Sequence, residues 1–245
     1  MKESYDFIVS LGGNCSVAMQ STWRNKRPFA LGLDWTCMPD EKPIDYLVGA
    51  FATRFADFAL EENLVDISSE YPKSYTSPVY LDKVSGYHLP HQFAKYGNEP
   101  GWYSSGGQRL KRRVERMFRE VAASKDVLFV LSTSFPFDDD KARLLHAAVC
   151  KAFPGVRCDM KVMMFGSDRH SVVEDDGLEI QHVSRSLHLY DLYQTSAIWS
   201  FLDDIEVKQC MYGPLSRWDR FMYRIWKHIG KRLKRRGAKL NFVFK

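Results

Sequence analysis

An α/β fold, three-layered around a mainly parallel sheet with helices on both faces, is predicted by three features of this 245-residue sequence. Apolar, β-branched runs such as "YDFIVSL" and "DVLFVLST" have the length and composition of buried strands. Segments with apolar residues at spacings of three and four have the period of amphipathic helices. Through the second half the two kinds alternate, which argues for parallel strands joined by helical crossovers.

The elements follow in order. Tyr5 to Leu11 make the first strand, ended by Gly12-Gly13. Asn14 is placed to cap a first helix, "CSVAMQSTWR". After the proline-framed loop "KRPFALGLDWTCMPDEKP", the segment "PIDYLVGAFATRFADFA" carries Ile44, Leu47, Val48, Phe51, Phe55 and Phe58 on one helical face, with Pro43 at its start. Between about 68 and 107 the chain turns rich in Tyr, Ser, Pro and Gly, a long insertion in which "SPVYLDKVSGYHLPHQF" reads as a short hairpin. Loops of this length inside a compact domain are often functional. "GQRLKRRVERMFREVAAS" is a basic helix buried through Leu110, Val114, Met117, Phe118 and Val121. The strand "DVLFVLST", a helix "DDDKARLLHAAVCKAF" whose acidic start suits its dipole, and the strands "VRCDMKVMMFG" and "LEIQHVS" complete the pattern. One domain over 1–216, followed by a basic amphipathic segment over 217–245, is the organisation expected.

Composition narrows the function classes. With 45% hydrophobic and 27% charged residues the chain is that of a folded protein. No run reaches the roughly 18 apolar residues of a membrane span, and the charged N-terminus is unlike a secretory signal, so a cytoplasmic protein is expected. Cys15, Cys37, Cys150, Cys158 and Cys210 are odd in number and form no CxxC pair. That spacing argues against a disulfide framework or a zinc cage, and neither a metal nor a cofactor is expected. The net charge of +5 is uneven: residues 217–245 hold eleven Lys or Arg against Asp219, leaving about −5 for the rest. Residues 217–236 set Trp218, Phe221, Trp226 and Leu233 on one helical face among basic neighbours, which fits an anionic membrane surface and a peripheral place on its inner face. A helix docked on the core accounts for the same pattern. Nucleic acid ranks lower, since no recognition module accompanies the basic run.

The candidate site lies after the first strand, where open α/β sheets bind ligands. Ser10 and the turn Gly12-Gly13-Asn14-Cys15 fall there. A thiol at a helix N-terminus is favoured as thiolate, the reactive form, and free turn amides suit an oxyanion or a phosphate. The glycines form neither a full GxGxxG nor a P-loop, so a nucleotide fingerprint is missing. A buried, inert cysteine is the competing reading of Cys15. As base, His88 and His91 in the insertion come first, with His182 and His188 in reserve. Asp34, between Leu33 and Trp35, would orient a histidine, bind an arginine or cap a turn.

Several of these pieces, in order, resemble a bacterial domain-of-unknown-function family that carries the label papain-like cysteine peptidase. Ser10, Leu11, Gly12 and Cys15 match its first block, Asp34 and Trp35 its second, His91 and Phe93 its third, and Arg112, Arg113 and Arg116 its fourth. Leu33 stands where the family has Phe, and Gln92 where it has Asp. The resemblance implies a Cys15–His91 pair, with Asp34 standing in for the missing acid. It also implies a setting near cell-surface polysaccharide synthesis. The papain fold itself pairs a helical lobe with an antiparallel barrel, against the alternation seen here.

Three functions are therefore expected in competition. One is a cysteine-dependent hydrolase or acyl-type transferase acting on a small molecule, glycan or peptide. Another is a membrane-associated transferase using a phosphorylated or nucleotide-sugar donor, with Gly12, Gly13 and Asn14 on the anion and Arg112, Arg113 and Arg116 clamping phosphate, near Trp35 and His88. The last is a non-catalytic binding protein.

Overall fold

The computed structural model describes residues 4–72, 77–93, 102–168, 170–184 and 198–209. The fold is mixed α/β, built on a mainly parallel five-stranded sheet. In chain order the strands are β1 (Ser4–Tyr5), β2 (Phe7–Ser10), β3 (Leu64–Asp66), β4 (Tyr80–Asp82), β5 (His88–Leu89), β6 (Asp126–Thr133), β7 (Arg157–Ser167), β8 (Ser171–Asp175), β9 (Leu178–Ser184) and β10 (Glu206–Val207). The helices are α1 (Ser16–Trp23), α2 (Lys42–Thr53), α3 (Trp102–Ala122), α4 (Asp139–Ala152) and the short α5 (Phe201–Asp204).

The central sheet runs β2-β6-β7-β9-β8, all parallel except β8, which pairs antiparallel with β9. The inner strands are apolar on both sides because both sides are covered. Val9 and Phe129 are register partners, and Phe129 meets Phe51 of α2 and Phe153, just past α4. Ser132 presents the opposite side, where Asn14 and Ser16 at the start of α1 reach it. There too Lys161 of β7 lies 4.7 Å from the Phe201 ring centre, beside the fully buried Trp199. The edge strand β8 is largely exposed and carries Glu174 and Asp175, charges that discourage further strand pairing.

Local chemistry explains the helix boundaries. The Asp138 carboxylate accepts the Asp140 N–H at 2.9 Å and so caps α4, with Asp139 and Asp140 in its first turn. Replacing Asp138 with alanine is expected to cost about 1 kcal/mol in denaturant unfolding. Pro43 opens α2, and Arg54 in a left-handed conformation, φ 54°, ends it.

Several expectations need correction. The second helix stops at Thr53, so Phe55 and Phe58 are buried from the loop beyond it, Phe55 itself at φ 60°. Their spacing is helical; their backbone is not. The first strand is interrupted at Asp6, whose carboxylate accepts the N–H groups of Lys125 and Asp126. A three-stranded antiparallel sheet, β3-β4-β5, joins the insertion to the segment just before it; the sequence showed the β4-β5 hairpin and not β3, which precedes the insertion. Its following helix begins at Trp102, earlier than the Gly107 expected. Strands β8 and β10 also went unforeseen; β10 pairs in parallel with β1 across most of the chain. Among the described residues no helix is long and apolar enough to cross a membrane. The basic segment 217–245, Cys210 and His188 lie outside the described residues.

Candidate active site

The turn that carries Cys15 is shaped by the two glycines before it. Gly12 and Gly13 have φ 80° and 90°, values that side chains disfavour. A Cβ on Gly12 would lie 2.2 Å from Thr36 Oγ1, and one on Gly13 would lie 2.0 Å from the Ser132 carbonyl oxygen. Their missing side chains thus make room for the protein's own groups, which places the turn tightly against β6. Ser10 Oγ accepts the Gly12 N–H at 3.2 Å. Asn14 donates through Nδ2 to the Ser132 carbonyl at 2.8 Å and accepts the Ser16 N–H at 2.9 Å. The expected N-cap is thus shifted by one: Cys15 takes that position, and Asn14, one residue further out, accepts the first helical N–H. The side chains of Ser10 and Asn14 are committed to the turn.

Cys15 is 8% exposed and sits where the positive end of α1 favours a thiolate. The Cys37 thiol and the His91 imidazole both hydrogen-bond to it; against burial, they hold its pKa down to about 5. Cys37 shows the complementary shift, well above the ordinary thiol range, because its proton is held by the Cys15 sulfur. The cluster is thus Cys15 thiolate, Cys37 thiol and His91 imidazole. Backbone bonds assemble it: Met38 N–H donates to the Gly13 carbonyl at 3.0 Å, and Cys37 exchanges N–H and C=O bonds of 2.9 Å with His88.

His91 is exposed and lies edge-on to the Trp35 ring at 6.1 Å. Trp35 reaches it from a left-handed backbone, φ 64°, a strained conformation for so bulky a residue. The next residue, Gln92, is fully buried and anchors the histidine's backbone. Its Nε2 donates to the Asp34 carbonyl oxygen at 2.6 Å and its Oε1 accepts from Arg113 at 3.0 Å. The Asp34 carboxylate, 2% exposed, accepts the Leu31 N–H at 2.6 Å and pairs with Arg27 at 3.0 Å. Burial raises its pKa while Arg27 opposes the rise. Of the three roles weighed for Asp34, its carboxylate displays arginine binding, and its main chain supports His91 through Gln92. Behind this pair a small cavity is lined by Ser10, Ser21, Arg27 and Asp34 among apolar neighbours.

The remaining candidates are more dispersed. His88 Nδ1 is 2.6 Å from the Tyr71 hydroxyl, burial lowers its pKa, and its backbone braces Cys37. His182 on β9 sits 2.8 Å from Asp139 at the start of α4. Arg113 belongs to the Gln92 anchor, Arg116 covers the Phe29 ring at 5.2 Å, and Arg112 is exposed. Cys37, Gln92, Arg27 and Arg109 were not foreseen as parts of the site. Only Gln92 had left a signal, as the residue beside the candidate base.

A second thiol–imidazole pair lies elsewhere. Cys150, exposed near the end of α4, has its sulfur 3.4 Å from His146 Nε2, and the Cys158 thiol and His146 hold its pKa at about 5. It stands by the amino end of β7, opposite the end of the sheet where Cys15 follows β2. Two facts weaken it as a nucleophile. The carboxyl end of a helix disfavours a thiolate, and His146 Nε2 is already 2.7 Å from the Cys158 carbonyl oxygen. Among the described residues no group of His, Cys, Asp or Glu is arranged to hold a metal ion.

Comparison with family models, with characterised proteins and with solved structures finds no match for this chain.

Proposed function

We propose that the protein is a thiol-dependent hydrolase or acyl-type transferase with Cys15 as nucleophile. The observation that carries this reading is the contact of one helix-terminal thiolate with both a thiol donor and an imidazole beside the carboxyl ends of parallel strands. The order of the blocks around Ser10, Cys15, Asp34, Trp35 and His91, which resembles the papain-like cysteine peptidase label, supports it further. The sheet with helices on both faces is the three-layer arrangement we infer for the site's scaffold, and a reducing, cytoplasmic compartment suits its free thiols.

In the reaction the Cys15 sulfur attacks an acyl carbon, forming a C–S bond while the carbonyl electron pair moves to oxygen. Amides of the Gly13–Cys15 turn and the dipole of α1 stabilise that oxyanion. Collapse breaks the bond to the leaving group, and His91, holding the proton that the Cys15 thiol gave up, delivers it to that group. His91 then takes a proton from water or from an acceptor nucleophile, whose attack releases the acyl group and restores the thiolate. Cys37 keeps the sulfur ionised between turnovers without itself bonding to substrate.

Incubation with p-nitrophenyl acetate tests the assignment. A burst of nitrophenol and an acetyl adduct located on Cys15 by peptide mass spectrometry are expected, and both should vanish in Cys15→Ala while Cys150→Ala retains them. Undiminished turnover by Cys15→Ala with the adduct on Cys150 would overturn it.

A further inference from the structure

We propose that the site of Cys15 and His91 takes a substrate bearing a carboxylate or phosphoryl group, held by the guanidinium forks of Arg109 and Arg113 with Arg27 behind them. The proposal rests on the reading of Cys15 as nucleophile and names the chemical class of what it attacks.

The first observation is a local excess of half-buried positive charge. Arg109 and Arg113 stand one helical turn apart on α3, so both point the same way. Both end on Gln92: Arg109 Nη2 donates to its carbonyl oxygen and Arg113 Nη1 to its Oε1. Arg27, whose side chain is 10% exposed, reaches the same place from the loop after α1, and Arg116 flanks it. Arg113 feels burial first, then the repulsion of Arg109, with Arg27 and Arg116 adding to it. The Asp34 carboxylate, which opposes these effects on Arg113, already binds Arg27 and the Leu31 N–H. Guanidinium groups crowded around Gln92, with Asp34 engaged by Arg27, make an arrangement that a bound oxyanion would relieve.

The second observation concerns unused donors. Arg109 Nε is buried and has no hydrogen-bond partner among the described residues. Each guanidinium carries five N–H donors in a planar fork, and Gln92 takes one nitrogen from each. Such forks match carboxylate and phosphoryl oxygens in pairs.

The third is position. Gln92, on which the two arginines converge, directly follows His91 and bonds the Asp34 carbonyl, next to the Trp35 that meets the His91 ring. An acidic group docked on the forks therefore lies within one substrate's length of the sulfur. The turn of Gly12, Gly13 and Asn14 is then left for the oxyanion of the reacting carbonyl, and the substrate's acidic group falls to this cluster.

Two reagents of equal size distinguish the outcomes. Iodoacetate carries a carboxylate and iodoacetamide does not; the ratio of their rates is read at Cys15, with Cys150 of the same molecule as reference. The ratio at Cys15 should exceed that at Cys150 by about tenfold or more at low salt. It should fall to the Cys150 value in Arg109→Gln and Arg113→Gln, fall part-way in Arg113→Lys, and stay unchanged in the exposed Arg119→Gln. Equal ratios at the two thiols in the unaltered protein, or a ratio that survives both glutamine variants at an intact melting temperature, overturns the proposal. Calorimetry with inorganic phosphate and with acetate separates this from failure of the nucleophile. Cys15→Ala should still bind one of the two anions and Arg113→Gln should not; absence of binding by Cys15→Ala refutes the anion site whatever the thiol does.

Discussion

In Cys37→Ala the pH at which Cys15 becomes alkylatable moves up by more than one unit. In the unaltered protein, iodoacetamide labelling of Cys15 should follow the thiolate and rise through about pH 5. The sign is that of any depressed acid: thiolate dominates above the folded pKa and is lost as pH falls through it. The Cys37 thiol is the largest contribution to that depression and His91 the next hydrogen bond. The single change Cys37→Ala should therefore displace the inflection more than His91→Ala does. Removing both leaves burial and the α1 dipole, and returns the inflection to the ordinary thiol range of about 8 to 9. Serine at position 37 keeps a donor and should recover part of the shift. The inflection is the diagnostic quantity, because a higher-pKa thiolate is intrinsically more nucleophilic and masks part of the loss in rate. A packing role for Cys37 would change the melting temperature and leave the inflection at about 5; that result, or an ordinary inflection in the unaltered protein, removes Cys37 from the site.

Gly13→Ala should destabilise the protein by roughly 3 to 5 kcal/mol, measured by denaturant unfolding. The added Cβ meets the Ser132 carbonyl oxygen at 2.0 Å and its carbon at 2.8 Å, both of them backbone in an inner strand. Neither can swing aside as a side chain would. The φ of 90° adds its own strain. Relief requires lifting the turn from β6, which breaks the Asn14 bonds to Ser132 and the Met38 bond to Gly13 together. Gly49 is the internal contrast: exposed within α2, with nothing inside 4 Å of an added methyl group, its alanine variant should gain up to about 1 kcal/mol. Equal stability of the two variants would show that the turn has slack, and the precise placement of Cys15 would lose its basis.

Legibility differed element by element. Strands β6 and β9 were readable at both ends, because each is a short apolar run closed by polar residues. Helix α4 was readable within a residue, since Asp138 and its acidic neighbours mark a cap through a local bond. The second helix was overrun because Phe55 and Phe58 keep a helical spacing while packing on Phe51 and Tyr46 from a left-handed turn. Within the site, Cys15, His91 and Trp35 stood out through turn chemistry and residue type. Cys37 did not, since nothing in a separation of 22 positions says that two sulfurs touch.

By itself, then, the sequence determined a parallel-stranded α/β scaffold and a thiol at the first helix start, because both depend on neighbours a few residues apart. Which groups surround that thiol was decided by the tertiary structure. The Met38–Gly13 bond, the β-bridge of Cys37 with His88, and the convergence of Arg27, Arg109 and Arg113 on one buried glutamine and its neighbouring aspartate join distant segments. Contacts of that kind leave no period in the chain, and it is they, against the cost of burial, that set the charge of the sulfur.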